Sequence, residues 1–112
     1  MTRGELAAVE IIDAWLDDKV SPEYKAQPLA QDWARICKET EEKGEAIAEL
    51  ILATGQNPRK GRDPAATARL LEEMADRAWT CILGIQHFTK DAHATGHILD
   101  ERLKRIRARV PE

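Results

Sequence analysis

The chain has 112 residues, of which 43% are hydrophobic and 33% are charged, and its formal net charge at pH 7 is −3. A domain usually has about 100–150 residues, so we expect one domain over residues 1–112 and no separate regulatory domain. The 17 basic and 20 acidic residues exclude a generally basic nucleic-acid binder, but not a local basic patch. The aromatic share of 4% predicts a core made mainly of leucine, isoleucine and alanine, which favour helices.

Apolar residues recur at three- and four-residue steps along most of the chain, which is typical of amphipathic helices. Thr2 and Glu5 have the spacing of a capping box at the start of the first helix. The pattern predicts four helices, over about residues 3–18, 29–54, 65–87 and 91–109. Residues 19–28 contain Pro22 and are predicted to form a loop. With no β-pattern in the sequence, we expect an all-α, four-helix-type bundle that oligomerises because its own core is small.

A second loop is predicted over residues 55–64, between the second and third helices. Gly55 suits the end of a helix because glycine readily adopts the left-handed backbone found there. Asp63 followed by Pro64 suits the start of the next helix, as an N-cap and a first helical residue. The segment between them is basic and rich in glycine, asparagine and proline.

Cysteine content and hydrophobicity indicate the compartment. Cys37 and Cys81 are too few for a disulfide scaffold or a cysteine-based zinc site, which favours a reducing environment. Residues 1–5 lack the apolar run of a signal peptide, and nowhere do about 18 consecutive apolar residues occur. We therefore expect a cytoplasmic protein that does not span a membrane.

Acidic residues are concentrated on the second and third predicted helices. Residues three or four apart share a helix face, so Glu42 lies with Glu45, and Glu73 lies with Asp76. Glu41 lies beside Glu45. If the two helices pack antiparallel, the acidic clusters can face one groove, where they repel each other unless a cation neutralises them. Mg²⁺ suits such a site because it takes oxygen ligands and is usually held by carboxylates together with substrate phosphates.

The same acidic runs are also compatible with an ordinary solvated helix face. Lys38 with Glu42, and Glu39 with Lys43, form pairs that contribute only about 0.2–0.5 kcal/mol each. Gly44 favours a functional site, because glycine inside a helix costs about 1 kcal/mol relative to alanine and suggests the close approach of another element. The recurrence of an acidic pair on the next long helix points in the same direction.

Together these motifs resemble those of the MazG-like nucleoside triphosphate pyrophosphohydrolases, the all-α NTP pyrophosphatases. That family has Glu-Glu-x-x-Glu on one helix and Glu-x-x-Asp on the next, which here are residues 41–45 and 73–76. The run K-E-T-E-E-K-G-E over residues 38–45 is similar to the family's first metal helix. Residues 53–61 resemble a loop of actinobacterial and phage-type members, and residues 14–17 resemble their N-terminal helix.

The likeness covers about residues 9–88 and implies both a fold and an activity. The implied fold is an α-helical bundle that forms a homodimer or a dimer of dimers by helix packing. The implied activity is Mg²⁺-dependent hydrolysis of a (d)NTP to the monophosphate and pyrophosphate, with Mn²⁺ able to substitute. The family's metal-ligand positions are occupied here by Glu42, Glu45, Glu73 and Asp76. Glu41 falls on a fifth carboxylate position, where it could orient a water or a ligand.

The chain departs from the family pattern at three positions. Lys43 and Arg77 stand where apolar residues are usual, and Glu39 is more polar than expected. The acidic set is intact. The departures therefore concern the packing of the helices and the oligomer.

Basic and polar residues near the acidic motifs are predicted to contact the substrate. Lys38 lies one helical turn before the carboxylates and is expected to bind phosphate and to act in catalysis with Glu41 and Glu42. The loop offers three further candidates for phosphate or base contact, from the same chain or a neighbour: Asn57, Arg59 and Lys60. A solvated turn with a cluster of flanking charges is the alternative for this loop.

Trp15 and Trp33 are candidates for stacking on the nucleobase, because every base offers a π-face. Both lie near apolar stripes, and packing in a core is the usual explanation for such tryptophans. Base contact and core packing both stay open for these two residues.

Two other classes of function stay open. The first is a catalytically inactive helical interaction protein of the same fold, which the departures at Lys43 and Arg77 favour. The second is a small nucleic-acid-binding helical dimer that uses the basic C-terminal run. This run comprises Arg102, Lys104, Arg105, Arg107 and Arg109. The same cations also suit the negative end of a helix dipole, and the net charge of −3 argues against nucleic acid as the partner.

Overall fold

Helices make up most of the chain in the computed structural model, which describes residues 1–111. They are α1 (Arg3–Lys19), α2 (Pro22–Lys25), α3 (Pro28–Thr54), α4 (Ala66–Thr89) and α5 (Ala92–Ala108). No strand occurs among residues 1–111, which confirms the prediction of an all-α protein. The four predicted helices correspond to α1, α3, α4 and α5, with each end within two residues of its predicted place.

The predicted loop over residues 19–28 is wrong at its centre, where the short helix α2 forms. Pro22 takes the first helical position, where its missing N–H is not needed. Glu23 lies in the first turn, where a negative charge is favourable. The prolines of this segment therefore start helices here, and Pro28 likewise begins α3.

Two of the three predicted helix-end signals act as expected, whereas the prediction of Asp63 and Pro64 as N-cap and first helical residue is wrong, because α4 begins at Ala66. The backbone N–H of Thr2 donates to Glu5 Oε2, and that of Glu5 donates to Thr2 Oγ1, both at 3.1 Å, which completes the capping box. Gly55 has a φ of 68° and closes α3 in the left-handed backbone region. Asp63 Oδ1 accepts a hydrogen bond of 3.0 Å from the backbone N–H of Ala65, one residue before α4 begins.

The contacts of the chain divide it into two compact units. The central unit, Leu29–Cys81, contains nearly all of α3, the loop after it and the first two thirds of α4. The terminal unit contains Met1–Pro28 and the described residues from Ile82 onward. The prediction that residues 1–112 form one domain stays a prediction.

Helices α1 and α5 pack against each other in the terminal unit. Val9 of α1 and Thr95 of α5 are almost fully buried. A Cβ added at Gly96 would lie 3.3 Å from Leu6 Cδ2, so the glycine permits a close approach of the two helices. Thr95 Oγ1 donates a hydrogen bond of 2.7 Å to Gln86 Oε1, which satisfies a polar group inside this unit.

A partly buried ion cluster joins α1 to the end of α4 in the terminal unit. Lys90 Nζ lies 2.9 Å from Asp13 Oδ2 and 2.7 Å from Asp17 Oδ2, and His87 Nδ1 lies 3.8 Å from Asp17 Oδ1. Burial opposes the charge on Lys90, but its hydrogen bonds to Asp17 and Asp13 outweigh burial and raise its pKa. Lys90 has a φ of 52°, which lies in the left-handed backbone region that non-glycine residues adopt infrequently.

The apolar stripes of the helices are only partly covered. The buried apolar residues are Val9, Ala46, Ala66 and Ala92. The expected core of leucine, isoleucine and alanine is confirmed for alanine, which supplies three of these four residues, but not for leucine and isoleucine, because most of the large apolar side chains on the stripes stay exposed in the single chain. An apolar stripe about 100° wide or more needs several neighbouring helices to cover it. Within the described part of the chain, no helix is both long enough and hydrophobic enough to cross a membrane.

Candidate metal centre

Helices α3 and α4 run antiparallel in the central unit, which is the arrangement in which the two acidic motifs were predicted to face one groove. Arg69 on α4 lies 3.0 Å from Glu49 on α3, and Arg77 on α4 pairs with Glu39 on α3. Residue numbers thus rise along one helix while they fall along the other. The two ion pairs lie on either side of the acidic motifs and hold the helices in register.

The acidic residues of both motifs meet between these two ion pairs. Carboxylate oxygens of Glu42, Glu73 and Asp76 all lie within 4.8 Å of one another. Glu45 joins the cluster through a hydrogen bond with Glu73. Glu42 is buried, Glu73 is half-buried and Asp76 is exposed, so the cluster is shielded from solvent at Glu42 and accessible at Asp76. The structure therefore brings together the four carboxylates at the family's metal-ligand positions.

The acidic residues of the cluster repel one another, and this repulsion acts on the pKa of Glu73. The hydrogen bond with Glu45, burial, and the charges of Glu45, Asp76 and Glu42 together raise the pKa of Glu73 to about 7. Glu73 Oε2 is shielded from solvent and has no hydrogen-bond partner among the described residues. Buried carboxylate oxygens normally have a partner, so a hard cation with oxygen ligands fits this donor set.

Lys38 lies beside the cluster, one turn earlier on α3. Its Nζ is 3.3 Å from Glu41 Oε1 and 3.4 Å from Glu42 Oε1. The hydrogen bond to Glu41, together with that to Glu42 and the charges of both, outweighs partial burial and raises the pKa of Lys38. The side chain is 49% exposed, so its ammonium group is accessible to an anionic ligand. Glu41 is also exposed and lies at the edge of the cluster.

Two of the departures from the family pattern compensate for each other. Glu39 and Arg77, each more polar than expected, form the ion pair between α3 and α4. The sequence pattern marks both residues as unusual but does not indicate that they pair. The third departure, Lys43, is exposed on α3. The Glu39–Arg77 pair therefore links α3 and α4 by opposite charges.

The loop after α3 is anchored to the far end of that helix. The backbone N–H of Asp63 donates to the carbonyl of Leu52 at 2.9 Å, and Arg62 Nε donates to that of Ala53 at 3.3 Å. Arg69 pairs with Asp63 at 2.7 Å, and this hydrogen bond and one from the Ala65 N–H lower the pKa of Asp63. This anchor was not predicted, although the basic and acidic residues that flank the loop are a signal for it.

Because of this anchor, the loop residues predicted to contact the substrate lie away from Lys38. Asn57 Oδ1 accepts a hydrogen bond of 3.1 Å from the backbone N–H of Arg59 and so shapes the loop itself. Arg59 and Lys60 are exposed. The helix end at Thr54 is about 14 Å along the axis from Glu45. The structure thus brings Lys38 to the carboxylates, whereas the loop residues would meet a ligand only at a distance or from a neighbouring chain.

The two candidate tryptophans are on the surface. Trp33 on α3 is 60% exposed and Trp15 on α1 is 56% exposed. Core packing within the single chain therefore does not explain either residue. Trp33 belongs to the same unit as the carboxylates, whereas Trp15 belongs to the terminal unit. Base stacking stays a prediction for both.

The interpretation of Gly44 is wrong for the single chain. A Cβ added at this position would meet nothing within 4 Å among residues 1–111, so no other element of that part of the chain approaches it closely. We expect Gly44→Ala to raise the free energy of unfolding by about 1 kcal/mol, because alanine is the better helix former. Urea unfolding at neutral pH measures this. Destabilisation would show that the glycine is needed in the assembled protein, where a second chain could approach it.

The raised pKa of Glu73 predicts a pH dependence of stability in metal-free protein. The ordinary carboxyl value is 4.5, and the value in the folded chain is about 7. Between these values the folded state holds a proton that the unfolded state has released, so this contribution to stability declines as the pH rises. We expect the urea midpoint to fall more from pH 5 to pH 8 in the original protein than in Glu73→Gln. Equal pH profiles would contradict the shifted pKa.

Comparisons with protein-family models, with curated proteins and with solved structures find no match to this chain. The function must therefore be inferred from the acidic motifs and from the geometry of the carboxylate cluster.

Proposed function

We propose that the protein is a Mg²⁺-dependent nucleoside triphosphate pyrophosphohydrolase with a MazG-like all-α fold. The observation that carries the proposal is the convergence of Glu42, Glu45, Glu73 and Asp76 from two antiparallel helices. This cluster contains a buried carboxylate oxygen without a hydrogen-bond partner among the described residues. A solvated acidic face would instead spread its carboxylates to reduce their repulsion.

The four carboxylates would hold the metal ion, Mg²⁺ or Mn²⁺ in its place. Bound Mg²⁺ would reverse the local charge, polarise the phosphates and make a coordinated water more acidic. Glu73 would release its proton when it becomes a ligand, which is why metal affinity should increase with pH up to about 7. Glu42 is buried at the floor of the cluster and needs little reorganisation to act as a ligand.

The reaction is hydrolysis between the α- and β-phosphates. Water forms a bond to the α-phosphorus, the bond from that phosphorus to the bridging oxygen breaks, and pyrophosphate leaves. Glu41 is exposed beside the cluster and would orient the water and accept its proton. Lys38, half-exposed next to Glu41, would contact a phosphate oxygen and position the chain of phosphates.

We propose the remaining substrate contacts from where each candidate residue lies in the fold. Trp33 is exposed on α3 and could stack on the base. Asn57, Arg59 and Lys60 would contact the substrate of a neighbouring protomer, since in their own chain the loop lies toward the end of α3. Trp15 is a further base-stacking candidate.

Exposed apolar residues on α3 and α4 support assembly into a homodimer or a dimer of dimers. Those on the central unit include Leu29, Trp33, Ile36, Ile47, Leu50, Leu71, Met74 and Trp79. An apolar surface of this extent on a small chain marks an interaction site. Packing two copies of the α3–α4 pair would complete a four-helix-type bundle. We place the protein in the cytoplasm, in keeping with its free cysteines.

A product assay tests the proposal. The purified protein is incubated with a panel of NTPs and dNTPs, with and without Mg²⁺, and the products are separated by ion-exchange chromatography. We expect monophosphate and pyrophosphate, formed only with metal. If no nucleotide is hydrolysed and calorimetry detects no Mg²⁺ binding at millimolar concentration, the inactive interaction protein becomes the better description. Salt-sensitive binding to oligonucleotides without hydrolysis would support the nucleic-acid-binding dimer instead.

A further inference from the structure

The C-terminal half of α5 extends beyond the packed part of its unit. The buried residues of α5 are Ala92, Thr95 and Gly96, all in its first half. Every residue from 102 to 110 is exposed. We call this stretch the basic segment. A short helix without tertiary contacts is only marginally stable in water, so this segment would gain from a partner.

The basic segment has an apolar seam of its own. On α5, Leu103 and Ile106 continue the spacing set by Leu99 with a four- and then a three-residue step, and Val110 follows four residues later, just beyond the end of the helix. Leu103, Ile106 and Val110 are 66%, 48% and 54% exposed, respectively. This is the spacing of the core positions in a coiled coil. The seam is therefore a ready-made surface for another helix.

The seam is narrow and closely flanked by cations. At about 100° per residue, its three members within α5, Leu99, Leu103 and Ile106, lie within about 60° of the helix circumference. Arg102 flanks it on one side and Arg107 on the other. Helices that lie on membranes usually have a broad apolar face, whereas a stripe this narrow is typical of helix pairing. The geometry favours a helical partner over a lipid surface.

The flanking charges also exclude one obvious partner, the same segment of a second copy. In a coiled coil the flanking positions of one helix face those of the other, whether the two run parallel or antiparallel. Here those positions would place Arg102 and Arg107 against arginines. Acidic residues at the facing positions would instead form ion pairs along both edges.

We propose that the basic segment docks one helix of a partner protein, and that this helix has an apolar seam and acidic flanking residues. The surface is distinct from the carboxylate cluster and does not depend on the function proposed for it. The partner helix covers Leu103, Ile106 and Val110, and its carboxylates pair with the flanking arginines.

Synthetic helical peptides test this with the full-length protein and fluorescence anisotropy. The probe peptide has leucine at its seam and glutamate at its flanking positions. One control has lysine at the flanking positions, and another keeps the glutamates but has glutamine at the seam. We expect the probe to bind at least about tenfold more tightly than either control, and more weakly as salt rises.

A charge-reversed variant makes the test sharper. Arg102→Glu with Arg107→Glu should reverse the preference, so that the lysine peptide binds and the glutamate probe does not. Leu103→Asp should abolish binding of both, while circular dichroism shows that the helices are retained. Equal binding of probe and controls would overturn the proposal. So would tighter binding to phosphatidylglycerol vesicles or to a single-stranded oligonucleotide than to the probe, since either would identify a general polyanion surface.

Discussion

Glu73→Gln is expected to lower the hydrolysis of nucleoside triphosphates by at least about 1,000-fold, which corresponds to about 4 kcal/mol of transition-state stabilisation. The amide has nearly the same shape but cannot supply the negative charge that holds a dication. In metal-free protein above pH 7 the same change should raise the unfolding temperature. It removes a carboxylate whose pKa the neighbouring acids raise to about 7. Turnover and stability therefore change in opposite directions.

The matched control for this variant is Glu72→Gln. Glu72 is the preceding residue on α4 and is exposed, so the substitution changes the net charge equally but leaves the cluster intact. We expect near-normal turnover from it. Glu42→Ala removes the buried carboxylate of the cluster and should abolish turnover with the helices retained. Near-normal turnover in both Glu42→Ala and Glu73→Gln would disprove the assignment of these residues as metal ligands.

The second large effect is expected in the terminal unit, where Lys90→Met should lower the free energy of unfolding by about 2 kcal/mol. Removing one member of a buried ion pair costs about 3–5 kcal/mol. The loss in free energy of unfolding is smaller here because the Lys90 side chain is half-exposed. The substitution removes the cation that lies between the carboxylates of Asp13 and Asp17. Urea unfolding at neutral pH measures the loss.

The variant Lys90→Gly distinguishes the contribution of the Lys90 charge to stability from that of the backbone conformation at this position. Lys90 has a φ of 52°, a region that costs a non-glycine residue about 1–2 kcal/mol and costs glycine little. We therefore expect the glycine variant to be more stable than the methionine variant by about 1 kcal/mol, although it lacks the same ion pairs. Asp13→Asn combined with Lys90→Met should recover part of the loss. An unchanged stability in Lys90→Met would show that the ion cluster contributes nothing.

Helix positions were predictable because their signals are local. The capping box of Thr2 and Glu5 and the left-handed glycine at position 55 each depend on a few neighbouring residues, and both are present in the structure. The short helix α2 was missed because prolines signal both loops and helix starts. Pro22 belongs to the second kind.

The carboxylate cluster was predictable for a different reason. The spacing of Glu42 and Glu45 on one helix, and of Glu73 and Asp76 on the other, already places each pair on one face. Only the antiparallel direction of the two helices had to be assumed, and the structure has it. The pairing of Glu39 with Arg77 was not predictable, because the register between two helices depends on the sum of all their contacts.

Periodicity in the amino-acid sequence was sufficient to place the helices and to show which carboxylates share a face, because both depend on backbone geometry over one or two turns. Which residues are buried depends on neighbours distant in the chain. Three features therefore depend on the tertiary structure and were not predictable from the sequence. They are the exposed apolar stripes, the open surroundings of Gly44 and the Lys90 ion cluster. The same holds for the pKa of Glu73. Its largest cause is the hydrogen bond between Glu73 on α4 and Glu45 on α3, which no single helix contains.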